Sequence, residues 1–489
     1  DALPIFFRPF FIVYYLITSL FMQRFLFLSF CGILLWSPLP LGSHRIWSAA
    51  LLEWSIATLF ILWLLSKKPD QESPPQALRH NKIIISLFFV IPLWTALQLI
   101  PVPPEILTWL SPQHLHYTAN PQAWQPLSLD TGATLYKLQK SIAYALFFVL
   151  ALAIVNTPYR LNLVAQVVVI SGVFQAAYGV LVVLGGKSFD ILNIAAVANR
   201  TGLSSASGTF VSRNNFAGYL EMAIALGVGL LVTQILLSKD YYAGFRASVR
   251  NFVFTMLSGK ARLRVFLALM VVALVLSHSR MGNTAFFASL GICGVVGLWL
   301  YRKHHKAKSL ALLFASLIAV DVLILGSWFG LDQLAERLET TELQHEERAF
   351  VFQNNLDVLR DFWLTGSGAG SYYSIFPNYQ DNQSMGFYDF AHNDFLQTGI
   401  EYGLIGSLFF GLIALLCFIK AIQAQKQRHT AILKGMGFAA MMGIMSIMIH
   451  SSGDFNLQIP ANALLFTLLC AMACIASSME QQEHRSKRK

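Results

Sequence analysis

The sequence predicts an all-α polytopic membrane protein: about twelve transmembrane helices, with a helical cap inserted before the last three. Three observations predict it. Of 489 residues, 55% are hydrophobic and only 12% charged, with a mean hydropathy of +0.56; soluble domains carry about 25% charged residues. Apolar runs of roughly twenty residues recur along the chain, each long enough to cross a hydrocarbon core of about 30 Å. The loops between them alternate between basic and lysine-poor, as the two sides of a bilayer require.

The runs lie near 24–41, 45–66, 82–100, 138–156, 161–184, 214–238, 262–278, 281–301, 308–330, 402–424, 431–449 and 460–478. The basic loops hold Lys67, Lys68, Arg79 and Lys82, then Arg246 to Arg264, then Arg302 to Lys308, then Lys420 to Lys434, and the tail Arg485 to Lys489. The excess of lysine and arginine places these loops in the cytoplasm, with both ends of the twelve-span core inside. It also accounts for the net charge of +10 without invoking nucleic acid. Residues 1–21 form a further apolar run, expected as an extra helix poorly integrated with the rest. Residues 22–330 then carry the first nine spans, 331–401 the cap loop on the outer side, 402–478 the last three spans and 479–489 a basic cytoplasmic tail. The five cysteines, Cys31, Cys293, Cys417, Cys470 and Cys474, all fall inside apolar runs. They read as small packing residues with no disulfide framework.

The cap segment has the pattern of packed structure. Phe350, Phe352, Leu356, Leu359, Phe362 and Trp363 are spaced for an amphipathic helix. Gly366, Gly368 and Gly370 follow and end it, and an aromatic stretch with Tyr372, Tyr373, Phe376 and Tyr379 comes next. A proline-rich outer loop, 101–137, reads as structured coil. A third outer loop, 185–213, is rich in small and polar residues.

The same topology brings three cationic side chains to one depth, at the outer boundary. Arg213 ends Ser207-Gly208-Thr209-Phe210-Val211-Ser212-Arg213 and precedes Asn214-Asn215-Phe216-Ala217-Gly218-Tyr219. Arg280 lies in His278-Ser279-Arg280-Met281-Gly282, and His392 in Ala391-His392-Asn393-Asp394. The plainer readings are snorkelling arginines and a surface-loop histidine. Against them, outer-face positions are where basic residues are scarce, and Arg280 sits between two spans with almost no loop. Arginine presents a charged planar fork to phosphate oxygens, and histidine takes a proton from a hydroxyl near neutral pH. The sequence holds no Asp-x-Asp pair, His-Glu-x-x-His, Walker-type loop or Gly-x-Ser-x-Gly, so motifs give no support for metal-dependent transfer, metalloproteolysis, ATP hydrolysis or serine hydrolysis.

These residues resemble the O-antigen ligase superfamily of O-antigen ligases, O-antigen and exopolysaccharide polymerases and protein O-oligosaccharyltransferases. The most specific match is His392-Asn393, a nine-residue gap, then Gly403-Leu404-Ile405-Gly406. The Gly208 to Tyr219 stretch resembles the family's first arginine motif and Ser279-Arg280 its second. The resemblance implies a GT-C-like helical fold in the bacterial inner membrane and a periplasmic site. It also implies an undecaprenyl-pyrophosphate-linked glycan donor and metal-independent, inverting transfer to an acceptor hydroxyl on a glycan or lipid. No cofactor is implied. Membrane lipids are expected partners, nucleic acid is not, and a chain-length regulator is a candidate partner. Carried over, Arg213 and Arg280 bind the pyrophosphate and His392 serves as base.

Other residues are open to two readings. Arg348 either pairs locally with Glu346 and Glu347 or contacts phosphate. Glu401 either orients His392 or marks a helix start, where a carboxylate is favoured by the dipole. His450 and Asp454, before Pro460, resemble a stretch in polymerase-like relatives and could line the acceptor path. Asn214 and Asn393 are supporting residues within the motifs. The His450 to Pro460 stretch tilts the reading toward an O-antigen or exopolysaccharide polymerase. Ligation to lipid A core and protein O-glycosylation are the alternatives within the family. A secondary transporter or lipid-linked glycan flippase is the alternative outside it, and would place its polar cluster near the bilayer midplane.

Overall fold

The computed structural model describes residues 8–67, 74–117, 120–192, 194, 204–238, 259–328, 351–380 and 387–479. Helices dominate. In chain order they are α1 (Arg8–Trp36), α2 (Ile46–Leu65), α3 (Gln76–His80), α4 (Lys82–Leu97), α5 (Pro104–Leu110), α6 (Thr131–Ile154), α7 (Pro158–Gly185), α8 (Arg213–Leu237), α9 (Gly259–Leu276), α10 (Arg280–Tyr301) and α11 (Ala307–Trp328). Then follow α12 (351–361), α13 (Tyr372–Ile375), α14 (Asp394–Gln427), α15 (Ala431–His450) and α16 (Pro460–Ser478). One short ribbon, β1 (Pro101–Val102) with β2 (Gln125–Pro126), pins the proline-rich loop.

Each of the twelve apolar runs coincides with a helix: α1, α2, α4, α6 to α11 and α14 to α16. Among the described residues, 8 helices are long and apolar enough to cross a membrane, and Phe21–Trp36, Lys82–Leu97 and Ala307–Ala319 are shorter apolar stretches. The protein is an all-α, multi-pass membrane protein. Helix α1 runs from Arg8 through Met22 without a break. The part of the cap segment before residue 351, with Arg348 and Phe350, and the tail beyond Met479 lie outside the described residues.

Helices α8, α15 and α16 form the centre, with 78%, 72% and 94% of their apolar windows buried, against 22% for α14. The central contact is built from small residues. A Cβ on Gly229 of α8 would stand 2.5 Å from both the Ala439 Cβ and the Gly435 carbonyl of α15. Bilayer helices gain little from burying apolar surface against one another, so close backbone approach is what holds them. All five cysteines are buried.

The signature glycines make a break in α14. Gly403 has φ 65 and ψ −173, a conformation only glycine adopts readily. The break is repaired by residues 363–368, which cross it. Leu404 N donates to Trp363 O at 2.7 Å and Ile405 N to Leu364 O at 3.4 Å. The carbonyls of Ile400 and Glu401 accept from Ser367 N and Gly368 N at 2.8 and 3.2 Å, and the Tyr402 carbonyl accepts from Trp94 Nε1 at 3.0 Å. The carbonyls of Ile400, Glu401 and Tyr402 and the amides of Leu404 and Ile405 thus find partners across the break, as a low-dielectric setting demands. Gly366, with φ 77, is packed so closely on Glu401 that a Cβ would meet the backbone there.

Behind the crossing, Val358, Phe362, Tyr372, Ile375, Phe376 and Ile400 form a separate small core. Tyr372 donates to Asn355 Oδ1 at 2.9 Å and Tyr379 to Asp361 Oδ2 at 2.6 Å, and burial pushes both phenols above their ordinary range. The aromatic stretch therefore packs the cap.

Candidate functional site

Each of the three motifs starts a helix. Arg213 and Arg280 are the first residues of α8 and α10, and His392 stands one residue before the N-cap of α14. Ser212 Oγ caps α8 by accepting from Asn214 N at 3.2 Å, and Ser279 Oγ caps α10 by accepting from Gly282 N at 3.2 Å. Asn393 Oδ1 caps α14 by accepting from Phe395 N and Leu396 N at 3.0 and 3.1 Å. Such caps leave a polar residue just outside the helix with its side chain turned back, and aim the remaining N–H groups outward. His278 and His392, each just before its cap, both have positive φ, 53 and 50, a sparsely populated conformation that concentrates at functional sites.

The three helix starts meet around one loop, 451–459, between α15 and α16. Asp394 N donates to Ser451 O and Asp454 O at 2.9 and 3.1 Å, and Asn393 Nδ2 donates to Ser452 O at 2.8 Å. The Asp394 carboxylate accepts from Ser451 Oγ at 2.7 Å, Leu457 N at 2.9 Å and Gln458 Nε2 at 3.2 Å. Gly453 lies against Met281, next to Arg280, where a Cβ would be 2.8 Å from the Met281 Cγ. Asn462 Nδ2 reaches Asn215 O of α8 at 2.9 Å and Asn456 Oδ1 at 3.1 Å. One loop therefore buttresses all three motifs.

His392, with 47% of its side chain exposed, has Nδ1 3.9 Å from Asp454 Oδ1. Its ring stands edge-on to Phe455 at 4.9 Å between centroids. It opens into a cavity of about 200 Å³ that it shares with Ser212, Asn215, Phe390, Phe455 and His44. Arg213 and Arg280 are exposed at the same end of the bundle. Desolvation first, then the charges of Lys140, Arg45 and Lys137, push His44 down to about 4, so this second imidazole is neutral at physiological pH.

Two expectations change. Glu401 is buried just before the Gly403 break, where it accepts from Gln397 Nε2 at 2.9 Å and faces Lys137 Nζ at 3.9 Å. Gln397 in turn accepts from Ala391 N at 3.2 Å, so Glu401 supports the backbone before His392, while the Asp454 carboxylate faces the imidazole at 3.9 Å. His450 is fully buried and turned inward, its Nδ1 3.0 Å from Glu221 Oε1 of α8, so it does not line an open path. Glu221 and Asp394 went unrecognised as parts of this site. The signal for Glu221 was an acid in an otherwise apolar span, and its partner lies 229 residues away.

Residues 265–411 match the family model described as O-Antigen ligase. The chain carries an O-antigen ligase region. It includes Arg280, His392, Gly403 and Gly406, and bears out the resemblance read from the motifs. The match makes this region similar to membrane enzymes of the O-antigen ligase or polymerase type. No curated protein matches the chain. Arg213, Glu221, His450 and the 451–459 loop lie outside the matched region in sequence, yet Ala217 of α8 and His450 lie against Gly282 at the start of α10 and the loop holds Asp394 at the start of α14.

Proposed function

We propose that this protein transfers a glycan from an undecaprenyl-pyrophosphate-linked donor to an acceptor hydroxyl, at the periplasmic face of the inner membrane. The observation that carries the reading is the convergence of three capped helix starts, bearing Arg213, Arg280 and His392, on the 451–459 loop. Helix N-termini attract anions, and two guanidinium groups there add paired donors for a diphosphate. The acceptor oxygen attacks the anomeric carbon as the carbon–oxygen bond to the diphosphate breaks. The hydroxyl proton passes to His392, and the leaving charge falls to Arg213 and Arg280. Stabilising that charge with donors already in place is the largest expected contribution. A single displacement inverts the anomeric centre, and the arginines take the charge-neutralising part that a metal ion plays elsewhere. Asp454 orients His392, and Asn214 and Asn393 hold the caps.

The orientation is supported by charge. The helix ends opposite the site carry Lys67, Arg302, Lys303, Lys426 and Arg428, the cytoplasmic pattern. We take the acceptor to be a second lipid-linked glycan, which makes the enzyme a polymerase. The test is purified protein incubated with a lipid-linked glycan and candidate acceptors. A ladder of products is expected; a single addition to lipid A core would make it a ligase, and no transfer to any acceptor would remove the reading.

A further inference from the structure

On the other side of the first turn of α14, away from His392, a second cavity of about 230 Å³ enters the membrane-spanning bundle. Its two ends differ in chemistry. Lys137 and Lys140 of α6 stand at the end nearer the site, and Phe410, Ile413, Met448 and Phe466 line the other. From Lys137 to Tyr144 the wall on α6 runs about 10 Å at 1.5 Å per residue, from the charged end toward the apolar one.

Of the nearby carboxylates among the described residues, Asp394, Glu401 and Glu53, only Glu401 makes an ion pair, and that is with Lys137. Asp394 is taken up by Ser451, Leu457 and Gln458. Glu401 faces Lys137 at 3.9 Å, and Lys137 also donates to Gln458 Oε1 at 2.5 Å. Lys140 lies 4.4 Å over the Tyr136 ring; the charges of Glu53 and Glu401 act on it from a distance, and neither carboxylate forms an ion pair with it among the described residues. A cation in a largely apolar cavity is costly unless an anion joins it.

The cavity opens sideways. Phe395 and Phe410 line it and are 53% and 37% exposed, on an apolar helix that is mostly unburied by the rest of the protein. Gly411, also on the wall, has nothing within 4 Å of where a Cβ would stand. An occupant with an anionic head and an apolar chain, arriving from the bilayer, satisfies all of these features.

The structure assigns this cavity as a binding site for a phosphate-bearing lipid, its phosphate at Lys137 and Lys140 and the upper part of its chain between α4, α6, α14 and α16. The source is either bulk anionic phospholipid or a polyprenyl phosphate. Both share the recognised chemistry, and neither depends on the transfer reaction proposed above.

The test is lipid binding to the full-length protein, read by native mass spectrometry in the Arg213→Ala/Arg280→Ala background, so that the arginine pair contributes nothing. Phosphatidylglycerol, undecaprenyl phosphate and neutral diacylglycerol are titrated separately. One equivalent of at least one phosphate lipid should bind, and the lipid that binds identifies the source. Lys140→Gln and Gly411→Phe should each weaken it at least tenfold, whereas Lys140→Arg should retain it. Gly411 lies on the cavity wall with open space at its Cβ, so Gly411→Phe should obstruct the entry without a clash at Cβ. Absence of binding in this background, unchanged binding in either weakening variant, or diacylglycerol binding as well as both phosphates overturns the assignment.

Discussion

Gly282 of α10 lies directly on Ala217 of α8: a Cβ added to Gly282 would stand 2.6 Å from the Ala217 Cβ and 3.2 Å from His450 Cε1. This contact sets how closely the first turns that carry Arg213 and Arg280 approach. Neither Cβ can rotate away, so Gly282→Ala must push the two helix starts apart. We expect transfer to fall about tenfold or more, since small misplacements of positioning groups carry large costs. Ala217→Gly combined with Gly282→Ala should recover much of it, because the double variant restores the space. Rates from single-turnover assays on the four proteins of the cycle check this.

Arg213→Ala, Arg280→Ala and His392→Ala should each lower transfer by about a hundredfold or more, the scale on which losing one oxyanion-type donor or a general base is felt. All three side chains are exposed, so insertion and monodispersity should be unchanged. Arg280→Lys should recover only part of the rate, because an ammonium cannot pair two oxygens in a fork. Full activity in all three alanine variants would falsify the assignment.

Asp454 is 1% exposed and 3.9 Å from the His392 imidazole. Asp454→Asn keeps the shape and removes the charge. The expected result is a kcat about tenfold lower at little change in KM, with Glu401→Gln affecting kcat less. The reverse ranking, measured on the same donor and acceptor, would return the orienting role to Glu401.

His44 gives a pH prediction. Its pKa in the folded protein is pushed down to about 4, below the value near 6.5 of an unconstrained imidazole. The unfolded chain then binds the proton first, so stability falls as pH drops from about 6.5 toward about 4. His44→Asn should flatten that part of the profile, read as Tm against pH in nanodiscs. Any limb of the activity profile near neutral pH should persist in His44→Asn, since His44 is already uncharged there.

Gly403→Ala should be among the most damaging single substitutions outside the charged residues. It combines a disallowed φ with a Cβ 2.5 Å from Gly366 N. Backbone strain of this kind costs about 1–3 kcal/mol. Lower yield and a lower Tm, with Gly411→Ala on the same helix as the unaffected control, are the expected readout.

The helices were legible because crossing a bilayer leaves a strong mark: about twenty apolar residues between loops of alternating charge. The three cationic motifs were legible for a related reason, since charge at a helix end on the lysine-poor side stands out against its surroundings. What decides the geometry left a weaker mark. The start of α14 at Asp394, well before the apolar run near 402, depends on Asn393 as cap and on the 451–459 loop as scaffold. The pairing of Glu221 with His450, and of Asp454 with His392, joins residues far apart in the chain. Each looks in isolation like a stray polar group, because sequence spacing carries no information about which helices become neighbours.

The threading of residues 363–368 through the gap at Gly403 limits how this protein can move. Lifting that segment away would strand the amides of Leu404 and Ile405 and the carbonyls of Ile400 and Glu401 in a setting without water. The anchor and the helix that presents His392 must therefore travel as one rigid piece. Traffic of lipid-borne reactants is better served by lateral entry from the bilayer than by hinging at this point.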